Sequence, residues 1–207
     1  MENINEAAKP KRVRRDRREE ILEKATHLFA EYGFQGTTLS QLSAALSLTE
    51  AGILHYFPSK VHLLEGVLEY HEQKEVEKYA GQIETQQTNA AELFGLLEQL
   101  CAENEKIPGL IQLFTVLVSE SIRSDHPSHA YFVDRYRRGR EIYVAQFIKL
   151  NWGQFRQGVN PDELATLIMA VMDGLQIQWL LDPQKVAMVK TFQLFSKIIV
   201  NYLEKTR

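Results

Sequence analysis

Residues able to do chemistry are sparse in this chain and widely spaced. Asp125, His126 and His129 form an Asp-His-x-x-His cluster where a helix is expected to start. Histidines at i and i+3 can share a metal, and two imidazoles with one carboxylate would suit zinc if water or a distant residue supplied the fourth ligand. An exposed, capped helix start accounts for the same residues, and neither metal nor cofactor is expected. The chain has one cysteine, Cys101, so an intrachain disulfide and a zinc-ribbon spacing are both excluded. Cys101 falls on the stripe of Leu93, Leu97 and Leu100, where a thiol serves as a small apolar filler. The sequence holds no Gly-rich phosphate loop, no nucleophile elbow and no metalloprotease histidine pair. The expectation is a protein that binds rather than one that catalyses.

Charge points to what it binds. The 207 residues carry 24 Lys and Arg against 27 Asp and Glu, a net of −3 that taken whole argues against nucleic acid. The distribution says otherwise. Residues 1–18 hold Lys9, Lys11, Arg12, Arg14, Arg15, Arg17 and Arg18 against three acids, leaving the remainder of the chain acidic. A basic arm on an acidic body suits a polyanion partner at one end; a solvated tail is the other reading. No secretory signal pattern opens the chain, and no uninterrupted apolar run reaches the length of a membrane span. A cytoplasmic protein without a membrane partner is expected.

The elements that must position these groups are helices. Apolar residues recur at i, i+3 and i+4 nearly throughout, with almost no strict alternation, so the fold class is all-α with about nine helices. Residues 17–33 form the first, stopped by Gly33 and Gly36. Thr38 with Gln41 three residues on is a capping-box pattern for a short helix to Leu46, and Thr49 can cap another from Glu50 to about Phe57. Ser59 then caps a longer one from Lys60 to about Tyr79, followed by a polar linker over 81–89. Helices are further expected over 90–104, from Pro108 to about Ser124, from Pro127 to about Trp152, over 161–181 behind Asn160-Pro161-Asp162-Glu163, and over 184–204 behind Asp182-Pro183. The Pro108 helix is apolar nearly all round and should be central.

Three short helices ahead of six longer ones, with the second and third close together, make a helix-turn-helix spacing. Glu50-Ala51-Gly52 places small side chains where a duplex would approach, and Leu46, Ile53 and Phe57 would hold that helix against the first. The stretch from Arg18 to about Leu68 resembles the DNA-binding domain of the TetR (tetracycline-repressor-like) family of bacterial regulators. The resemblance is carried by Ile21, Ala25, Leu28, Phe29, Gly33, Thr37-Thr38, Leu42, Ala45, Leu46, Gly52, Ile53, Leu54 and Leu64, and above all by Tyr56-Phe57-Pro58-Ser59-Lys60.

That resemblance implies a homodimer on a pseudo-palindromic operator of double-stranded DNA, most often a repressor released by a small-molecule effector. It implies phosphate contacts from Thr38, Thr49 and Lys60, a backbone or thymine-methyl contact from Tyr56, and base reading near Glu50, Ala51, Gly52 and His55. Glu50 could accept from a cytosine amino group or simply stabilise its helix dipole. Leu54 stands where many relatives carry a tyrosine whose hydroxyl reaches a phosphate; leucine packs on a thymine methyl instead, or the contact passes to His55 or Tyr56. Arg14 and Arg15 could cross the backbone or enter the minor groove. The expected division is an arm over 1–16, a reading domain over 17–70, and a ligand-binding and dimerisation domain over 71–207.

For the effector, polar residues on apolar faces are the useful sign. Glu120, Arg140, Asp173 and Gln176 are candidates, with Phe114, Phe132 and Tyr136 (and Phe147 beside them) as walls. Structural pairing and core packing account for the same residues. The last two helices, rich in Met169, Val171, Met172, Trp179, Phe192 and Phe195, are implied to pair with their copies in a four-helix bundle.

Overall fold

A computed structural model describes residues 17–85, 89–150 and 158–204. Nine helices and no strand occur among them: α1 (Arg17–Gly36), α2 (Leu39–Leu46), α3 (Glu50–Tyr56), α4 (Lys60–Thr85), α5 (Ala90–Asn104), α6 (Pro108–Glu120), α7 (His129–Lys149), α8 (Pro161–Leu181) and α9 (Met188–Glu204).

The local signals act as their chemistry dictates at most helix starts. Thr38 and Gln41 form a reciprocal capping box, Thr49 Oγ1 accepts from Gly52 N at 3.0 Å, and Asn160 accepts from Asp162 N. Gly33 adopts φ 70°, so α1 kinks there before its last turn. That region is favourable for glycine and strained for other residues.

The departures have physical causes. The polar stretch after Tyr79 continues α4 as helix to Thr85, because its glutamine and glutamate favour helix as readily as a linker. Helix α6 ends at Glu120 and α7 begins only at His129. Between them His126 Nδ1 pairs with Ser121 Oγ at 3.1 Å and accepts from Ser128 N at 3.2 Å, while His129 Nδ1 meets Ser121 O at 2.8 Å. Asp182-Pro183 does not start α9. Asp182 O accepts from Lys185 N and Val186 N, closing a turn that delays the helix to Met188.

Two buried clusters organise the chain. The first joins Ile21, Leu22, Phe29, Leu42, Ile53 and Phe57 to Leu63, Leu64 and Val67 of α4, and extends to Leu110, Leu113 and Leu117 of α6 and to Phe132 of α7. The second joins α5, the C-terminal half of α7, α8 and α9 around Phe94, Phe147, Ile168 and Phe192. Helix α6 thus packs on α1, and the two approach closely: a Cβ placed on Gly109 would lie 2.6 Å from Ala30 O and 2.8 Å from Ala30 Cα. Helix α6 is less buried than its composition implies, since Val116 on its far side is 45% exposed. Cys101 is buried, and burial beside Glu105 and Glu98 pushes its thiol up to about 12, leaving it inert.

Candidate nucleic-acid interface and ligand cavity

Helix α3 has one face in the core and one in solvent. Ile53 and the following Phe57 are buried, whereas Glu50, Ala51, Leu54, His55 and Tyr56 are exposed and Gly52 is half-buried. Leu54 and Tyr56, at 37% and 41% exposure, are apolar bodies held out from the head. The rings of His55 and Tyr56 meet edge to face at 5.5 Å between centroids. Thr38 and Thr49 open α2 and α3 from exposed positions, each with its hydroxyl on a backbone N–H of its own helix.

Lys60 makes internal contacts that spacing did not reveal. Its ammonium donates to Phe34 O at 2.8 Å and to Thr37 O at 3.0 Å, and sits 4.4 Å from the centre of the Phe34 ring. Partial burial holds its pKa below the ordinary lysine value. Thr37 closes the same corner from within, donating to Leu28 O and Gly33 O while only 1% exposed. These bonds satisfy carbonyls that the end of α1 would otherwise leave open. They also fix the angle at which α2 and α3 leave α1. Arg14 and Arg15 lie outside the described residues.

A cavity of about 260 Å³ opens between α4, α5, α6, α7 and α8. Of the residues expected there, Phe114, Tyr136, Asp173 and Gln176 line it. Glu120, Phe132 and Arg140 do not. Glu120 is exposed at the end of α6, beyond the cavity. Phe132 lies one turn before Tyr136, where its ring meets Phe114 at 5.7 Å inside the first cluster. On α7 the lining positions run Tyr136, Gly139, Tyr143 and Gln146, and Arg140 falls off that face.

The cavity wall is mostly apolar, with its charges at one end. Tyr136 donates to Asp173 Oδ2 at 2.7 Å, and burial raises the Asp173 pKa above the usual carboxylate range. Nearby, Arg135 Nε lies 3.3 Å from Glu72 Oε2, an ion pair outside hydrogen-bond geometry, with its guanidinium 4.5 Å from the Phe114 ring centre. His71 is held below the ordinary histidine range, chiefly by burial and then by His27. Glu72, Arg135, Asn104 and Gln146 also line the cavity and were not among the residues expected there. Only topology brings α4 and α5 against α7, although Asn104 and Gln146 are polar residues on apolar stripes and carried the same signal as Gln176.

No group of three or more His, Cys, Asp or Glu side chains is placed to hold a metal among the described residues. Asp125 pairs with Arg123 at 2.7 Å, and the Nδ1 atoms of His126 and His129 close the loop described above.

A helix-turn-helix head joined to a helical domain that encloses a cavity defines a ligand-responsive DNA-binding regulator of transcription, not an enzyme. Residues 21–67 match the family of bacterial regulatory proteins, tetR family, and residues 89–200 match the C-terminal domain of BetI-type transcriptional repressors. The chain belongs to the TetR family. It is 28% identical over 173 residues to the nucleoid occlusion factor SlmA of Escherichia coli (strain K12 / DH10B), covering 81% of this chain and 85% of that one. Among solved structures it is similar to the transcriptional regulator FadR from Bacillus subtilis in complex with stearoyl-CoA. That likeness has a TM-score of 0.75 at 15% identity and covers 89% of this chain and 98% of FadR. A putative transcriptional regulator from Saccharomonospora viridis in complex with choline matches with TM-score 0.70 at 23% identity, covering 89% and 95%.

Proposed function

We propose that the chain is a cytoplasmic homodimeric repressor that reads a pseudo-palindromic operator and leaves it when a small molecule fills the cavity. In this reading residues 17–70 read DNA through Thr38, Thr49, Glu50, Ala51, Gly52, Leu54, His55, Tyr56 and Lys60. The arm at 1–16 adds phosphate contacts through Arg14 and Arg15, and residues 71–207 bind effector and partner subunit.

One observation carries the switch. Leu110 and Phe114 of α6 and Leu68 of α4 line the cavity and also pack into the cluster that holds the reading head. A guest that moves α4 or α6 must move the head with them, because a close-packed interior shifts its neighbours rather than compressing. Two heads set for half-sites about 34–36 Å apart would then lose their joint fit.

The dimer reading rests on exposure. Leu167, Ile177 and Leu181 of α8 and Leu194, Ile198 and Tyr202 of α9 are large apolar side chains at 43% exposure or more. They recur at helical spacing on the sides of α8 and α9 turned from the core, and a Cβ on Gly174 in the same helix would meet nothing within 4 Å. Helix α8 is the one described helix long and apolar enough to cross a membrane, because it is apolar on two faces. One face is core, and the other fits a second copy of the pair in a four-helix bundle.

The bound stearoyl-CoA and choline of the two similar structures support small-molecule control. The alternative reading is DNA binding without a small-molecule switch. A filled core would accompany that reading, and this core is open.

Selection of genomic fragments on the purified protein at physiological salt tests the proposal. Enriched fragments should share inverted half-sites about 10 bp apart centre to centre. If none outcompetes random DNA, the repressor reading fails.

A further inference from the structure

The effector cavity contains more polar groups than the protein satisfies. Asn104 on α5, Gln146 on α7 and Gln176 on α8 line it, and each is more than nine-tenths buried, at 6%, 7% and 5% exposure. None of the three side-chain amides has a hydrogen-bond partner among the described residues, and the Gln146 oxygen is fully enclosed. A buried amide left unpaired costs the protein stability, so a guest that pairs with it is favoured.

Asp173 sets the sign of that guest. Its Oδ2 accepts from Tyr136, its Oδ1 has no partner, and no cation lies within ion-pair distance of it among the described residues. The one cavity-lining guanidinium, Arg135, is committed to Glu72 and to the Phe114 face. Burial, and then His27, hold His71 below the ordinary histidine range, which makes it a poor counter-ion for a second carboxylate. Glu72 also has Arg138 at 3.9 Å, and Arg135 acts on Asp173 only from beyond ion-pair distance, so Asp173 is the cavity carboxylate without a directly paired cation among the described residues.

Geometry then gives the shape. Gln176 is one helical turn from Asp173, whereas Gln146 is ten residues along α7 from Tyr136, about 15 Å at the usual rise. Between these two ends the wall is apolar, built from Leu97, Leu100, Tyr143 and Met172.

Resting on the effector reading above, we infer that the cavity takes a protonated primary or secondary amine on an apolar chain, its ammonium donating to Asp173 and Gln176. The unused Oδ1 and the Gln176 oxygen call for N–H donors. A quaternary ammonium has the charge and lacks those hydrogens. An acyl carboxylate would face an unpaired like charge.

Four probes with one eight-carbon chain separate these terms by calorimetric titration of the full chain: 1-aminooctane, octyltrimethylammonium, octanoate and 1-octanol. The expected result is that 1-aminooctane binds at least about tenfold more tightly than each of the others. Asp173→Asn should weaken 1-aminooctane by about 30-fold or more, the usual loss when one side of a buried hydrogen-bonded charge pair is removed. Gln176→Leu removes an amide that no protein group satisfies. It should therefore leave the fold intact, or raise Tm, while weakening 1-aminooctane about three- to tenfold.

Equal or tighter binding of octyltrimethylammonium overturns the donor requirement, and equal or tighter binding of octanoate or octanol overturns the cation. A preference that survives both variants overturns the site. If none of the four binds, the inference fails and the repressor reading is untouched. If 1-aminooctane binds as expected and does not release selected DNA, the inference stands and the effector reading falls.

Discussion

The reading head and the sensing domain treat their polar groups in opposite ways. Around α1 to α3, Thr37, Thr38, Thr49 and Lys60 each hydrogen-bond to backbone groups of the head itself. Around the cavity, Asn104, Gln146 and Gln176 are also buried and have no such partners among the described residues. A surface that must meet a rigid duplex has to arrive preformed, and every internal bond narrows its conformations. A cavity that must respond to a guest gains from incompleteness, because the guest's contribution is then large. One domain is finished by its own chain, and the other is finished by what it binds.

The junction between them should show the largest effect. Gly109→Ala forces a methyl against the backbone of Ala30, which cannot rotate away as a side chain could. A loss of about 2–3 kcal/mol is expected, the upper part of the range for overpacking a core. Urea unfolding at fixed protein concentration measures it. Unchanged stability would show that α6 slides freely on α1, and the contrast between a rigid head and an adaptable cavity would lose its mechanical link.

Within the head, Lys60→Met keeps the stem over Phe34 and removes both bonds to the end of α1. The expected cost is about 1–2 kcal/mol, since one of the released carbonyls can rehydrate at this half-buried site. Two of the three ammonium hydrogens are committed internally, so a phosphate can claim the third. The slope of log K against log salt for selected DNA should fall by about one on substitution. An unchanged slope would make Lys60 scaffold alone.

How much of this the sequence disclosed follows the same division. The head was legible almost residue by residue, because caps and short-range apolar spacing are local codes: Thr38 with Gln41, Thr49, and the buried Ile53 and Phe57 all sit as their spacing requires. Lys60 was found for its charge, and its bonds to Phe34 and Thr37 were not, since they cross 26 and 23 residues. The cavity was legible only in part. Asp173 and Tyr136 were singled out separately, yet their bond spans 37 residues and depends on how α7 and α8 cross. Glu120, Phe132 and Arg140 looked equally suitable because a helical stripe does not say where along its length the neighbouring helix ends. The apolar excess of α8 and α9 was visible, but the residues it rested on, Met172, Trp179 and Phe192 among them, pack in the subunit's own core, and the exposed stripe is made by Leu167, Ile177, Leu181, Leu194 and Ile198 instead.

The smallest effect has the opposite sign to the others, and it follows from the same contrast. Gln146→Leu replaces a fully enclosed, unpartnered amide oxygen with a methyl group of similar reach. Burying a polar group without a partner costs more than burying an apolar one of the same shape, so removing it should stabilise the unliganded protein by up to about 1 kcal/mol. Leu93 and Leu97 lie on the same cavity wall and can accept the new side chain. Thermal melting without added ligand measures the gain, and the reading head gives the reference, because none of its described side-chain polar atoms is buried without a bonded partner. A Tm that falls on substitution would mean that ordered water completes the Gln146 amide. The sensing domain would then be as finished as the head, and its response to a guest would have to come from displaced water rather than from unmet hydrogen bonds.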